Sequence, residues 1–202
     1  MRKRSVSSVQ GQAAVLNRDD IDTDALFPGR FLRLTERSGM GRHLLADWRA
    51  EGRAEAGFMQ RAEPPRLLLG ARNFGCGSSR EQAVWALADY GVQAVLALSF
   101  GDIFRNNCVR NDIVAATLAP DDHAALLAAL AASPQAELRL DVPTRTLSLP
   151  GDLDLPIALA EGHAEELLSA EDPIARTLHF SDALRAYEAR VRSGQPWLAS
   201  ID

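Results

Sequence analysis

The segment Arg72-Asn73-Phe74-Gly75-Cys76-Gly77-Ser78-Ser79-Arg80-Glu81 carries the residue types from which an anion site is built. Gly75 and Gly77 allow tight or left-handed turns. A helix beginning after them offers unpaired N–H groups and the positive end of its dipole. Arg80 adds a planar fork suited to a carboxylate. Ser78 or Ser79 would place a hydroxyl within reach of the bound anion. On local pattern alone a purely structural use of the same residues is favoured, because Ser78-x-x-Glu81 has the spacing of a capping box. The segment is not a dinucleotide fingerprint, since a third glycine is missing, and the spacing around serine is wrong for a nucleophile elbow.

Other chemistries have no residues to carry them. Lys3 is the only lysine, which disfavours a Schiff-base enzyme or a Walker-type nucleotide site. His43, His123, His163 and His179 lie far apart, and no pair has zinc-ligand spacing. Two cysteines, Cys76 and Cys108, cannot hold an iron–sulfur cluster, and no metal site is expected on this chain. Asp20, Asp22 and Asp24 lack the glycine and distal glutamate of a calcium loop. The net charge of −5 argues against a nucleic-acid binder. No apolar run approaches the roughly 20 residues of a membrane helix, and no secretory apolar core follows Arg2-Lys3-Arg4, so a cytoplasmic protein is expected.

The elements that must position the loop follow from the pattern. Leu67-Leu68-Leu69 predicts a buried strand, and Ser79–Tyr90 a helix stopped at Gly91. Val92–Leu98 and Ile113–Leu118 predict two more buried strands, with a short helix over Gly101–Arg110 between them. Strand alternating with helix implies parallel pairing and right-handed crossovers. Residues 12–17 predict a short strand, Asn17–Asp24 an acidic turn, and Glu51–Pro65 a surface excursion or lid. Asp121-Asp122 are expected to cap a helix reaching about Ala132. Glu137–Val142 and Arg145–Leu149 alternate as a hairpin does, and Leu153–Leu159 suggests a further strand. The remainder, to Arg192, predicts two helices broken near Pro173.

Taken whole, Asn73-Phe74-Gly75-Cys76-Gly77-Ser78-Ser79-Arg80-Glu81 resembles the signature of the aconitase superfamily swivelling domain, most closely that of the 3-isopropylmalate dehydratase small subunits. Asp20-Ile21-Asp22-Thr23-Asp24 with Phe27-Pro28, then Arg30-Phe31-Leu32 and Ser38-Gly39-Met40-Gly41-Arg42-His43-Leu44, are similar to that family's N-terminal motifs. Trp85-Ala86-Leu87, Asp89-Tyr90-Gly91, Ser99-Phe100, Asp102-Ile103-Phe104 and Asn106-Asn107-Cys108 match its next helix and strand exit, and Ala186-Tyr187-Glu188-Ala189 is again family-like. The match is specific over residues 12–118 and loose beyond.

The resemblance implies an α/β fold: one swivelling β/β/α domain over residues 1–202, with a parallel-strand core and a β-hairpin and helical C-terminal part. It implies a hydro-lyase subunit that binds no cofactor itself. A large partner subunit would hold a 4Fe-4S cluster, in a heterodimer or heterotetramer. The substrate would be a small dicarboxylate, 2-isopropylmalate, converted to 3-isopropylmalate through an alkene in leucine biosynthesis. By position Ser78 matches the family's catalytic base. Substrate contacts fall to Ser79, Arg80, Asp24 and either Arg30 or Arg33. Asn73, Gly75, Gly77 and Glu81 support the loop and helix start. A serine is a poor base unless its anion is stabilised, which helix N–H groups and an arginine can do. Cys76 and Cys108 become bystanders, with Cys108 a core residue. His43 and the stretch Arg37–Arg42 read as substrate-facing or solvated, solvation being favoured for His43.

Three departures from the family stand out. Gln82 replaces a usual histidine. Asn111-Asp112-Ile113-Val114-Ala115 replaces Asn-Gly-Ile/Leu-Leu-Pro. The family's segment after Leu153 survives only as Asp172-Pro173-Ile174-Ala175-Arg176-Thr177-Leu178. Ser78 and Arg80 are untouched by these changes. They leave open a paralogue acting on another 2-hydroxy diacid, of methylmalate, citramalate or homoaconitate type. A non-catalytic carboxylate- or partner-binding module of the same fold is also open.

Overall fold

The structure is a computed structural model that describes residues 4–77, 80–151, 153–195 and 197. It divides into two units, Ser5–Ser169 and a second formed by Met1–Arg4 with Ala170–Asp202.

In the first unit, seven strands are present among the described residues: β1 (Ser8–Leu16), β2 (Leu67–Gly70), β3 (Ala94–Ala97), β4 (Val114–Thr117), β5 (Glu137–Asp141), β6 (Thr146–Leu149) and β7 (Leu153–Pro156). They form one sheet in the order β4-β3-β2-β1-β5-β6-β7. Strands β4 to β1 run parallel, and β1, β5, β6 and β7 pair antiparallel. β1 serves both halves. Ser8–Gln12 pair with β5 and Ala13–Leu16 with β2. The expected strand over 12–17 is therefore only its second half. Ser8 and Gln10 hide the first half from a pattern search, because its pairing partner lies far along the chain.

Helices cover both faces of the parallel part, so its strands are apolar without interruption. Leu68, Val95, Ala97 and Ala115 point to one side. There they meet Ala83, Val84 and Leu87 of α3 (Glu81–Tyr90), and Phe104 and Cys108 of α4 (Asp102–Arg110). Leu67, Leu69, Ala94, Leu96, Val114 and Ala116 point to the other side, against Leu126 and Leu130 of α5 (Pro120–Ala132). His123 of α5 is also buried, and its Nε2 lies 2.7 Å from the Gly70 carbonyl oxygen at the end of β2. A carbonyl can only accept, so the imidazole proton sits on Nε2.

Between β1 and β2 the chain makes short helical turns. α1 (Thr23–Leu26) is N-capped by Asp22, whose Oδ1 accepts from the Ala25 N–H at 2.7 Å. Further on lie α2 (Ala46–Ala50) and a 3-10 helix, Ala54–Gln60. The expected lid over Glu51–Pro65 is not loose. Ala56 and Phe58 are buried, and the Phe58 ring meets Tyr90 edge-on at 6.1 Å. α3 begins at Glu81 with Arg80 as N-cap, so the Ser78-x-x-Glu81 spacing does not fall on N-cap and N3. In α5 the N-cap is Ala119 and Pro120 opens the helix. Asp121 and Asp122 lie in its first turn, facing the positive dipole end rather than capping it. Asp112, at the family's glycine position, has φ of 59°. Aspartate tolerates that left-handed geometry better than most residues, so the departure keeps the turn.

α6 (Glu161–Leu168) closes the first unit, burying Ala164 and Leu167. The second unit contains α7 (Pro173–Leu178), capped by the Asp172 carboxylate on the Ile174 N–H at 2.8 Å, and α8 (Ser181–Gly194). The break near Pro173 is present, and a second one at His179-Phe180 makes three α-helices among the described residues after 160 where two were expected. Among the described residues, no helix is long and apolar enough to cross a membrane.

Two substitutions test this core. Gly75 has φ of 73°, and a Cβ there would lie 2.1 Å from the Phe104 ring. Gly75→Ala is expected to cost about 2–4 kcal/mol through overpacking and strain, read in a urea titration. His123→Ala strands the buried Gly70 carbonyl. It should cost about 1–3 kcal/mol in the same assay with an unchanged denaturant slope.

Candidate active site

Strand β2 delivers the chain into a loop whose backbone is tied on both sides. On one side, the Gly75 N–H donates to the Ile21 carbonyl at 2.7 Å and the Thr23 N–H to the Cys76 carbonyl at 3.0 Å. The Asn73 Nδ2 donates to Asp20 Oδ1 at 2.7 Å, and the Arg72 N–H to Asp19 Oδ1 at 2.9 Å. On the other side, the Phe74 N–H donates to the Ser99 carbonyl at 2.9 Å, the Gly101 N–H to the Phe74 carbonyl at 2.9 Å, and the Asn73 N–H to Ser99 Oγ at 2.8 Å. The acidic turn read as Asn17–Asp24 thus acts as one rail of the loop. Asp22 accepts from the Ala25 N–H and Asp20 from the Asn73 amide.

The loop leaves Gly77 at φ of 85° and enters α3 through Arg80. Ser78 and Ser79, the expected base and its neighbour, lie outside the described residues. The Arg80 guanidinium donates to the Asp24 carboxylate, and Gly29 backs this pair. A Cβ on Gly29 would stand 3.5 Å from both Arg80 Nη1 and Asp24 Oδ1. Arg80 keeps only 23% of its side-chain surface, while Asp24 keeps 52%. One nitrogen of the Arg80 guanidinium is therefore engaged by a carboxylate, and that carboxylate is the more exposed partner.

Arg30 does not join that pair. It bridges Asp47 of α2 at 2.6 Å and lies over the Phe31 ring at 4.5 Å. The hydrogen bond to Asp47 raises the Arg30 guanidinium, and in return Arg30 holds the Asp47 carboxyl below its ordinary value. Arg33 is exposed and forms no ion pair among the described residues. His43, read as solvated, is half-buried and stacks on Phe31 at 4.1 Å. Burial, then the charges of Arg42, Arg30 and Arg49, push its pKa down. Its Nε2 accepts from Arg42 Nε at 3.1 Å, as a neutral imidazole can.

Glu81 is more engaged than a helix-start residue need be. Its Oε1 accepts from Trp85 Nε1 at 3.1 Å and from Asn111 Nδ2 at 2.9 Å, and Arg37 approaches it at 3.9 Å. Sequence reasoning missed Arg37 and Asn111 as neighbours of this loop. Only the i, i+4 spacing of Glu81 and Trp85 hinted at a network. Cys76 and Cys108 are both free thiols. Burial pushes Cys108 far up, and burial with the charges of Asp20 and Asp22 raises Cys76, so neither is a thiolate nucleophile at neutral pH. Among the described residues, no group of three or more His, Cys, Asp or Glu could hold a metal ion.

Known proteins resemble this chain in sequence and fold. The aconitase C-terminal domain family matches residues 3–121. The 3-isopropylmalate dehydratase small subunit of Psychromonas ingrahamii is 38% identical over 192 residues, spanning 92% of this chain and 94% of its own. That of Chloroflexus aurantiacus is 41% identical over 189 residues, spanning 91% and 94%. A solved 3-isopropylmalate dehydratase from Methanocaldococcus jannaschii superposes with a TM-score of 0.65 at 26% identity, covering 90% of this chain and 99% of that one. The family match takes in both rails of the loop and Arg80, and the relatives align with nearly the whole chain. The chain belongs to the aconitase C-terminal domain family, among the small subunits of 3-isopropylmalate dehydratase.

Proposed function

We propose that this chain is the small subunit of a hydro-lyase that converts 2-isopropylmalate to 3-isopropylmalate by dehydration and rehydration in leucine biosynthesis. The observation that carries the reading is the Arg80–Asp24 pair at the head of α3, in which a half-exposed carboxylate already engages the guanidinium. Relatives at 38–41% identity bear the same name.

In this reading the substrate carboxylate replaces Asp24 on the Arg80 fork, and Asp24 holds the guanidinium in place between turnovers. Ser78, as an alkoxide stabilised by the helix start and Arg80, removes the proton from the carbon beside that carboxylate. Ser79 and either Arg30 or Arg33 add contacts to the substrate. Asn73, Gly75, Gly77 and Glu81 hold the loop. Two cysteines and no clustered histidines cannot hold a 4Fe-4S cluster, so we assign that group to the large subunit, where it would polarise the substrate hydroxyl. The two chains form a heterodimer or heterotetramer in the cytoplasm, with residues 1–202 acting as one swivelling domain.

The test is anaerobic reconstitution with the large subunit from the same genome, following the absorbance of the unsaturated acid. Isopropylmalate, citrate, citramalate and methylmalate are offered separately. Turnover of isopropylmalate that requires both chains is the expected result. Turnover of another diacid alone would keep the chemistry and replace the substrate. A stable complex with an intact cluster and no turnover would make the chain a binding module. Ser78→Ala should lower kcat about 10²–10⁴-fold while the complex still assembles. Arg80→Lys keeps the charge but loses the fork, and should lower kcat/KM about 10- to 100-fold.

A further inference from the structure

α4 touches the active loop at both of its ends. Near its start, the Phe104 ring fills the space where a Gly75 side chain would stand. At its end, Asn111 reaches Glu81, the residue after Arg80. The Asn111 amide is fully engaged. Its Nδ2 donates to Glu81 Oε1 at 2.9 Å and to the Asn107 carbonyl at 2.8 Å, and its Oδ1 accepts from Arg37 Nη1 at 3.2 Å. The Arg37 guanidinium also lies over the Trp85 ring at 4.4 Å. One side-chain amide thus joins three separate pieces of chain: the 33–40 loop, the first residue of α3 and the end of α4. Arg37 and Glu81 keep 47% and 40% of their side-chain surface, and so exposed a network adds little stability. What it fixes is orientation.

We propose that Asn111 is a positioning residue of the active site, latching the Arg37 loop to the start of α3 through Glu81 and so setting where Arg80 stands. The proposal deepens the function assigned above and rests on it for its kinetic readout. An amide is required at this position. A carboxylate would lose both donated hydrogen bonds and face the Glu81 carboxylate.

The test uses the assembled two-subunit enzyme, with Asn111→Ala, Asn111→Asp, Arg37→Ala, and the Asn111→Ala/Arg37→Ala double variant. Asn106→Ala is the control, since Asn106 also lies on α4 but bonds His163, away from the latch. Asn111→Ala should lower kcat roughly 10-fold or more, with KM changed by less than about threefold. Asn111→Asp should be at least as impaired. The double variant should be no worse than the more severe single one. Hydrogen exchange, measured on the same complexes, should quicken together over residues 33–40 and 80–84 in Asn111→Ala and stay unchanged in Asn106→Ala. Additive losses in the double variant, a change confined to KM, or exchange that quickens only beside residue 111 would overturn the latch. Wild-type enzyme without turnover would instead overturn the proposed function, and the exchange result alone would then decide the latch. If Asn111→Ala does not fold, Asn111→Asp carries the same comparison.

Discussion

The site depends on one constraint: the backbone of residues 72–77 must run between two other segments and hydrogen-bond to both. Residues 19–23 and 99–101 supply the partners. Two strand-like bridges, Asp22 with Cys76 and Phe74 with Phe100, extend the parallel sheet past the ends of its strands. Beside these bridges, the close approach of the segments leaves no room for a side chain at Gly75 or Gly101. A Cβ on Gly101 would come within 2.7 Å of the Gly75 carbonyl oxygen, and one on Gly75 would enter the Phe104 ring. The glycines are therefore a requirement of close approach more than of loop mobility. They let a rigid platform, and not a flexible arm, present Arg80.

The charged pair set on that platform is of a different kind. A surface ion pair contributes at most about 1 kcal/mol to folding, because water competes for both partners. The same weakness suits the proposed function, in which the guanidinium would exchange one carboxylate for another. The apolar ring contacts below the loop supply the rigidity. Phe74 meets Phe100 and Phe104 at 6.3 and 5.6 Å, and these two stack at 6.4 Å. Stability and binding are thus carried by different layers, one dry and aromatic, the other wet and ionic.

How much of this was legible in the sequence follows from the range of each interaction. Three of the four parallel strands and α3 were readable because Leu67–Leu69, Val92–Leu98, Ile113–Leu118 and the Ala83-Leu87-Tyr90 spacing are local patterns. The loop itself could be singled out because its residues are contiguous. The first half of β1 was not, since its partner is β5 and its own residues are Ser, Val, Gln and Gly. Nor was the Asp24–Arg80 pairing visible as geometry, with 56 positions between the partners. The excursion read over 51–65 does lie largely at the surface, but its anchor was not legible, because Phe58 finds its contact in Tyr90, beyond the reach of any window over that segment. Asn111 was noticed only as part of a departure from the family, while its amide in fact gathers three elements.

The division of β1 between two partners has a consequence for the order of assembly. Its second half can pair as soon as β2 exists, but its first half must wait for β5, which is made more than a hundred residues later. As the chain emerges from the ribosome, the parallel half has both of its helical faces by about residue 132, where α5 ends, while Ser8–Gln12 still present an open edge. Open edges recruit other strands. The composition of that edge answers the hazard: Ser8, Gln10, Gly11 and Gln12 surround a single large apolar residue, Val9. A segment that looks too polar to be a strand is one that can stay unpaired safely during synthesis until its late partner arrives.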